Sequence, residues 1–403
     1  MKVKKCLILY NNYNREFDYL QIIKRILKND FNIDARIQSR YPSLNLLRTG
    51  ITFKPNVILT FPLTALGLST ELHILKFLFN CKIISLRTEG VFNYDNSTEM
   101  ISVTGIDSYS KFLIDFEVFW GPKPARVIGE KLFETNKISS LDRVKYYGYP
   151  KWDIEFKIDD ELECLKQQIS DNSYQDTLLF VTGFQTSSYD NMQKIIHAGD
   201  IPKNNISNII RTAQLTKTFK SNFENTINSA ARINNKTFFI IKIHPLESES
   251  DYNFNAQNIK VVQNSQKVYD LLCISDYFFH YGSTSAAEAY LLKKPVYYYY
   301  DIPLNEYYTD LKWPSNKKIR LHDLESFISN KEYKTSSEIP PTLIKNVLRE
   351  NFNYTDGKEY KPSFLIAKLI SRDSKPQTIG LCNKFLLKSV INLILKILKH
   401  PFK

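Results

Sequence analysis

Between Ile240 and Asp301 three segments constrain the fold more tightly than anything else in the chain. The apolar run FFIIKI leads into His244-Pro245. GSTSAAEAYLLKK opens on Gly282-Ser283-Thr284-Ser285 and has the composition of a helix. PVYYYYD is a second, aromatic run that ends at Asp301. A strand covered on both faces reads as a continuous apolar run, and a helix placed between two such strands makes a parallel crossover. Pro245 ends the first run by removing a backbone donor. A parallel sheet with helices on both faces is therefore expected here.

The same alternation runs through the rest of the sequence. CLILY, IDARIQSR, Val57–Thr60, CKIISLRTEG, FEVFWGP and RVKYYGYP read as strands, with helix-periodic segments such as EFDYLQIIKRILKND among them. TLLFVTGF, at residues 177–184, starts a second series, followed by a long helix that ends near ARIN. At 403 residues two domains are expected. The fold class is α/β, with two Rossmann-like, doubly wound halves. The expected division is a first domain over 1–155, a linker over 156–176, a second domain over 177–335, closing helices over 336–380 and a tail over 381–403. In such sheets ligands bind outside the carboxyl ends of the strands.

Composition removes several function classes. With Gly 12 and no G-x-G-x-x-G or Walker-type run, an ordinary dinucleotide or P-loop site is not expected. No G-x-S-x-G elbow marks a serine hydrolase. The aromatics, Tyr 25 and Phe 26, fall mostly inside strands, so nucleic acid is not an expected partner. The net charge of +12 favours an anionic partner. The five cysteines are scattered and several sit in apolar patterns, which fits a reducing compartment. The opening MKVKKCLILY has an apolar run too short for a secretory leader and reads as a first strand.

Each candidate site residue has two readings. An imidazole at the end of a buried strand, as at His244, can donate to a phosphate oxygen, or it can simply cap the strand. Ser283, Thr284 and Ser285 at a helix start offer hydroxyls and backbone N–H groups to a phosphate. Ser285 and Glu288 are also spaced as a capping box. Glu288 can accept from a ribose diol. In the first half Arg87-Thr88-Glu89-Gly90 follows a buried strand. Glu89 there can act as a base or nucleophile, with Arg87 holding an anion or setting the carboxylate's charge; the alternative is an Arg–Glu pair on a loop. The histidines are scattered and no D-x-D stands near a strand end, so no metal and no resident cofactor are expected.

Taken in order, I-K-I-H-P, Y-D-L-L-x-x-S-D, G-S-T-S-A-A-E-A and K-K-P-V resemble the C-terminal half of bacterial surface-carbohydrate biosynthesis proteins. That group is similar to capsule Kdo transferases and, more distantly, to CDP-glycerol glycerophosphotransferases and HP-motif sialyltransferases. R-T-E-G, F-x-V-F-W-G-P and Y-G-Y-P-K-W-D (147–153) resemble its N-terminal half. The resemblance implies a GT-B glycosyltransferase, with an acceptor domain followed by a nucleotide-sugar donor domain. It implies that His244, Ser283 and Thr284, with Lys242, Pro245 and Ser285 beside them, hold a cytidine nucleotide's phosphate. Glu288 would sit near the ribose, Glu89 would be the catalytic carboxylate, and Arg87 would pair with an acidic sugar. The expected donor is a CMP-activated ulosonic acid such as Kdo, and the expected acceptor a glycan or lipid-linked glycan. The alternatives are CDP-alditol phosphotransfer, hydrolysis or epimerisation of a nucleotide sugar, and a scaffold without catalysis.

In the tail, polar positions 384, 388, 392, 396 and 399 recur every three to four residues and leave a broad apolar face. Lysines and Asn392 count against a bilayer span. A basic amphipathic helix over 384–403 lying on an anionic membrane is expected, which would place the protein at the inner face of the cell membrane. A terminal helix packed back on the first domain is the alternative.

Overall fold

A computed structural model describes residues 3–11, 13–40, 43–61, 66–87, 113–153, 174–184, 206–245, 247–263, 266–301, 313–355, 358–359 and 361–372, with isolated positions 167, 169 and 187. The chain forms two compact units. One comprises Met1–Glu155 with Leu348–Lys403, and the other Phe156–Val347.

In the first unit the order is β1 (Lys5–Tyr10), α1 (Tyr13–Phe31), β2 (Asp34–Ser39), α2 (Ser43–Phe53), β3 (Val57–Thr60), α3 (Leu66–Phe79), β4 (Lys82–Leu86), β5 (Phe116–Phe119), α4 (Pro122–Glu134) and β6 (Val144–Tyr146). The strands form one parallel sheet in the order β2-β1-β3-β4-β5-β6. Alternate side chains of β1 enter different cores. Leu7 and Leu9 join Leu46, Ile58, Leu75 and Ile128 on one face, and Cys6 and Ile8 join Leu20, Ile23 and Leu27 on the other. Burial pushes the thiols of Cys6 and Cys81 up to about 12, so both behave as small hydrophobes.

The second unit contains β7 (Asp176–Val181), α5 (Ile206–Ile233), β8 (Thr237–Lys242), β9 (Ile259–Val262), α6 (Val268–Ile274), β10 (Tyr277–His280), α7 (Ala286–Leu291), β11 (Val296–Tyr300), β12 (Lys317–Arg320) and α8 (Leu321–Ser329). Its parallel sheet runs β12-β11-β10-β7-β8-β9. Counted from β7, that is the dinucleotide-fold order, in which the crossovers reverse direction between β7 and β10. The core is aromatic. Phe180 stacks on Phe279 at 4.5 Å, and Tyr299 on Phe223 at 5.2 Å. Buried tyrosines need acceptors, and Tyr297 and Tyr299 donate to the carbonyls of Tyr333 and Val181.

Three elements were hidden in the sequence, the first of them β10, so that the serine helix joins β10 to β11 and not FFIIKI to PVYYYYD. The polar gap after His244 contains β9, whose IKVV is too short to declare itself among asparagines. SLNLLRTGITF forms α2 although a glycine lies inside it, because Gly50 lies directly against the side chain of Leu75.

After α9 (Pro341–Phe352) the chain rejoins the first unit, and α10 (Pro362–Ser371) docks on α1. Ile366, Leu369 and Ile370 are buried there, worth roughly 1.5–3 kcal/mol each. Both ends of α10 are satisfied from far away in sequence. Ser363 N–H donates to Asp153 Oδ2 at 2.6 Å, while Lys4 and Lys82 donate to the carbonyls of Ser371, Leu369 and Arg372. Cations at the carboxyl end complement the helix dipole. F-W-G-P and Y-G-Y-P-K-W-D meet the end of α9 in one aromatic cluster. Trp120 stacks on Tyr149 at 4.0 Å, and Trp152 on Phe352 at 4.8 Å. Gly121 lies so close to this return that a Cβ would fall within 2.5 Å of the carbonyl oxygens of Asn351 and Glu350.

Gly121→Ala should therefore destabilise the first unit by about 1–3 kcal/mol, read by denaturant unfolding followed through Trp120 and Trp152 fluorescence. Burial lifts the Asp153 carboxyl above its ordinary 3.8, against the lowering pull of Ser363. A raised acid costs stability above its folded value, and the cost fades as the pH falls towards 3.8. Asp153→Asn, which keeps an acceptor, should equal or exceed wild type at pH 7 and converge with it on acidification. Asp153→Ala should lose about 1 kcal/mol.

Candidate functional site

Lys242 pairs with Val181 and Val181 with His280, so β8, β7 and β10 end at one level across the switch point. The residues that follow are 243–245 with Glu247, 182–184 and 281–285. The His244 loop and the serine turn thus stand on either side of β7, roughly 10 Å apart by two strand spacings.

His244 is half-buried and starts a tight turn with Pro245 as its second residue. Glu247 N–H donates to the His244 carbonyl at 2.9 Å, and His244 N–H donates back to Glu247 Oε2 at 3.1 Å. The same oxygen accepts from Thr182 Oγ1 at 2.7 Å and from the Tyr252 hydroxyl at 2.6 Å. Gln263 Nε2 donates to the Glu247 carbonyl at 3.1 Å. Burial, then the charge of Glu247, push the Tyr252 hydroxyl far above its ordinary value, so it remains a donor. Sequence reasoning missed this network. Its one trace is the spacing H-P-x-E, which matches a turn closing on its fourth residue. Lys242, expected near phosphate, is 5% exposed, and its amine donates to the carbonyls of Ile243 and Gln263.

The serine turn departs from expectation. The helix does not open at Ser283 but runs over Ala286–Leu291. Gly282 has a φ of 62°, and Ser283 N–H donates to His280 Nδ1 at 3.2 Å. Ser285 N–H donates to Ser283 Oγ at 3.2 Å, so Ser283 does the local capping. The Ser285–Glu288 capping box is not formed. Ser285 is already in the right-handed helical region, with φ −64° and ψ −12°, and its side chain makes no cap hydrogen bond. Ser283, Thr284 and Ser285 are half-buried, whereas Glu288 is 4% exposed. Lys294 donates to the Ser275 carbonyl at 2.6 Å, and Lys293 adopts φ 54° in the turn out of the helix.

In the first sheet Arg87 leaves β4 fully inside the protein. Its Nε meets Glu117 Oε1 at 2.5 Å, with side-chain exposures of 1% and 0%. Its carbonyl accepts from Trp120 Nε1 at 2.6 Å, and its guanidinium lies over Phe119. Arg87 forms a buried pair with Glu117, because β4 and β5 place Ser85 beside Glu117 and Arg87 reaches back across the rung. Glu89 and the tail over 384–403 lie outside the described residues. No helix among the described residues is long and apolar enough to cross a membrane.

A recess of about 410 Å³ opens between α5 and the start of α8, lined by Asn225, Tyr300, Asp301, Arg320 and His322 among others. Among the described residues, none of the expected site residues lines it.

No protein-family model matches the chain, and no curated protein matches it. Solved structures do. The wall teichoic acid polymerase TagF matches at 12% identity with a TM-score of 0.51, covering 92% of this chain and 89% of that one. Its H548A variant matches at 12% and 0.52, with coverages of 91% and 88%. The UDP-GlcNAc 2-epimerase of Methanocaldococcus jannaschii matches at 11% and 0.45, with coverages of 92% and 99%. The fold is GT-B, composed of two Rossmann-like units.

Arg87→Met should strand the buried Glu117 carboxylate and cost about 3–5 kcal/mol in chemical denaturation. Arg87→Met with Glu117→Leu should recover most of that loss.

Proposed function

We propose that the chain is a metal-independent glycosyltransferase using a nucleotide-activated sugar, best a CMP-linked ulosonic acid such as Kdo, to extend a bacterial surface polysaccharide. The observation that carries this reading is the common level of β8, β7 and β10, which sets the His244 loop and the Ser283–Ser285 turn around the switch point of the second sheet. Ligands of open parallel sheets bind at such a point. GT-B architecture and the order of motifs support the same reaction class.

In this reading the His244 imidazole and the hydroxyls of Ser283, Thr284 and Ser285 donate to the phosphate of the nucleotide. The bond between the anomeric carbon and the phosphate oxygen breaks, and CMP leaves with the electron pair. Donors fixed where charge grows on that oxygen lower the barrier. The acceptor hydroxyl forms the new bond to the anomeric carbon, and Glu89 takes its proton or serves as a transient nucleophile. Arg87, engaged with Glu117, acts by fixing the strand end two residues before Glu89. Glu288 and Lys242, both buried, support the turn and the strand end. Residues 384–403 hold the enzyme against an anionic membrane, where lipid-linked acceptors are made.

A second reading is transfer of glycerol or ribitol phosphate from a CDP-alditol. The likeness to a wall teichoic acid polymerase supports it. The two reactions differ in the atom attacked, since only the second carries phosphorus to the acceptor.

A panel of nucleotides tested by thermal shift decides the donor. CMP or CDP at about a hundredfold its dissociation constant should add about 2.7 kcal/mol to the second unit's stability. His244→Ala should abolish most of that shift. A shift with UDP or GDP alone would overturn the cytidine reading, and retention of β-labelled phosphorus in the product would favour the alditol-phosphate reaction.

A further inference from the structure

Glu247 is a heavily committed carboxylate at the carboxyl edge of the second sheet. It is 5% exposed. Its Oε2 accepts from three segments at once: the loop after β7 through Thr182, the turn after β8 through His244 N–H, and the segment before β9 through Tyr252. Its carbonyl accepts from Gln263, beyond β9. Its Oε1 is buried with no hydrogen-bond partner. An orphaned carboxylate oxygen costs free energy, and a leucine of similar size would carry no such cost. The expense is offset by what Oε2 accomplishes.

With Glu247 N–H on the His244 carbonyl and Glu247 Oε2 on the His244 N–H, one residue occupies both main-chain polar groups of His244. Pro245 fixes the next backbone angle. The imidazole is then carried by a backbone whose two remaining freedoms are locked. Thr182 and Tyr252 lock the carboxylate in turn.

We infer that Glu247 is the positioning residue of this site: it sets the height and direction of the His244 imidazole above β7 through Oε2, without touching the ligand. The inference rests on the nucleotide-site reading above for its first test and is independent of it for its second. It assigns a role to Thr182 and Tyr252 as well, as donors that aim the carboxylate.

The first test is calorimetric titration of the full chain with CMP and CDP. Glu247→Ala should weaken binding about tenfold or more, matching His244→Ala, since a misplaced donor contributes little. Glu247→Gln keeps an acceptor at Oε2 and should stay within about threefold of wild type. The double variant Glu247→Ala/His244→Ala should bind no more weakly than His244→Ala, because the two act as one unit. Tyr252→Phe, which keeps the ring in the core, should give a smaller loss and serves if Glu247→Ala does not fold.

Unchanged affinity in Glu247→Ala alongside a loss in His244→Ala would overturn the inference and leave the nucleotide site standing. An equal loss in Gln and Ala variants would overturn it in favour of a role for charge. If His244→Ala leaves affinity unaltered, the nucleotide reading fails, and the second test decides alone. In that test the His244 ring Cε1–H resonance is followed by NMR without ligand. It should shift in Glu247→Ala or Tyr252→Phe while the other histidines stay put. An unmoved His244 resonance would overturn the inference whatever the nucleotide does.

Discussion

A parallel ladder leaves its strands no choice of level. Once Val181 is bonded between Lys242 and His280, the three loops that follow must leave the sheet together, and their backbone polar groups must find partners outside the ladder. The chain meets that demand with side chains. Glu247 takes the His244 N–H, His280 takes the Ser283 N–H, and Ser283 takes the Ser285 N–H. Tyr299 reaches from β11 to the carbonyl of Val181. Polar residues are concentrated at this edge because the ladder ends there. A ligand that binds here meets groups already fixed by the needs of the backbone, which is the cheapest form of preorganisation.

The first sheet solves a related problem with charge. At one end of the β4–β5 pair, Arg87 and Glu117 form a buried couple. At the other, Asp115 accepts from Lys76 at 2.8 Å and from Ile83 N–H at 2.7 Å, while Arg143 donates to its carbonyl. Burial pulls the Lys76 amine below its ordinary value, and Asp115 pulls it back up. Buried pairs of this kind add little net stability but make every other pairing expensive. Between the two short strands they enforce one register where four or five residues of apolar contact would leave it loosely specified.

Most of the architecture was legible because buried parallel strands are continuous apolar runs: TLLFV, TFFII and KIISL could hardly be anything else. The failures have physical causes. IKVV is an edge strand, half exposed, so its sequence is diluted by lysine and flanked by asparagine. The start of α7 was misplaced because Ser283, Thr284 and Ser285 are all good caps. Only the backbone angle at Gly282 and the bond from Ser283 N–H to His280 decide which one is used. Glu247 was invisible within LESES, where alternating serine and glutamate read as a solvated loop. The pairing of Arg87 with Glu117 is equally hidden, because the two are 30 residues apart in sequence. Pairings across strands are what a linear reading finds hardest to see.

The first unit is not continuous along the chain. Its sheet is finished by Tyr146, but the face that covers β1 and α1 includes Ile366 and Ile370, and the ring stacked on Trp152 is that of Phe352. The second unit has all its residues once Val347 has been made. On a ribosome the half that begins first must therefore close last, holding Cys6, Ile8, Trp120 and Trp152 partly uncovered while the later half is translated. The order of synthesis and the order of completion are reversed, and the window between them is when the apolar faces of the first unit stand uncovered.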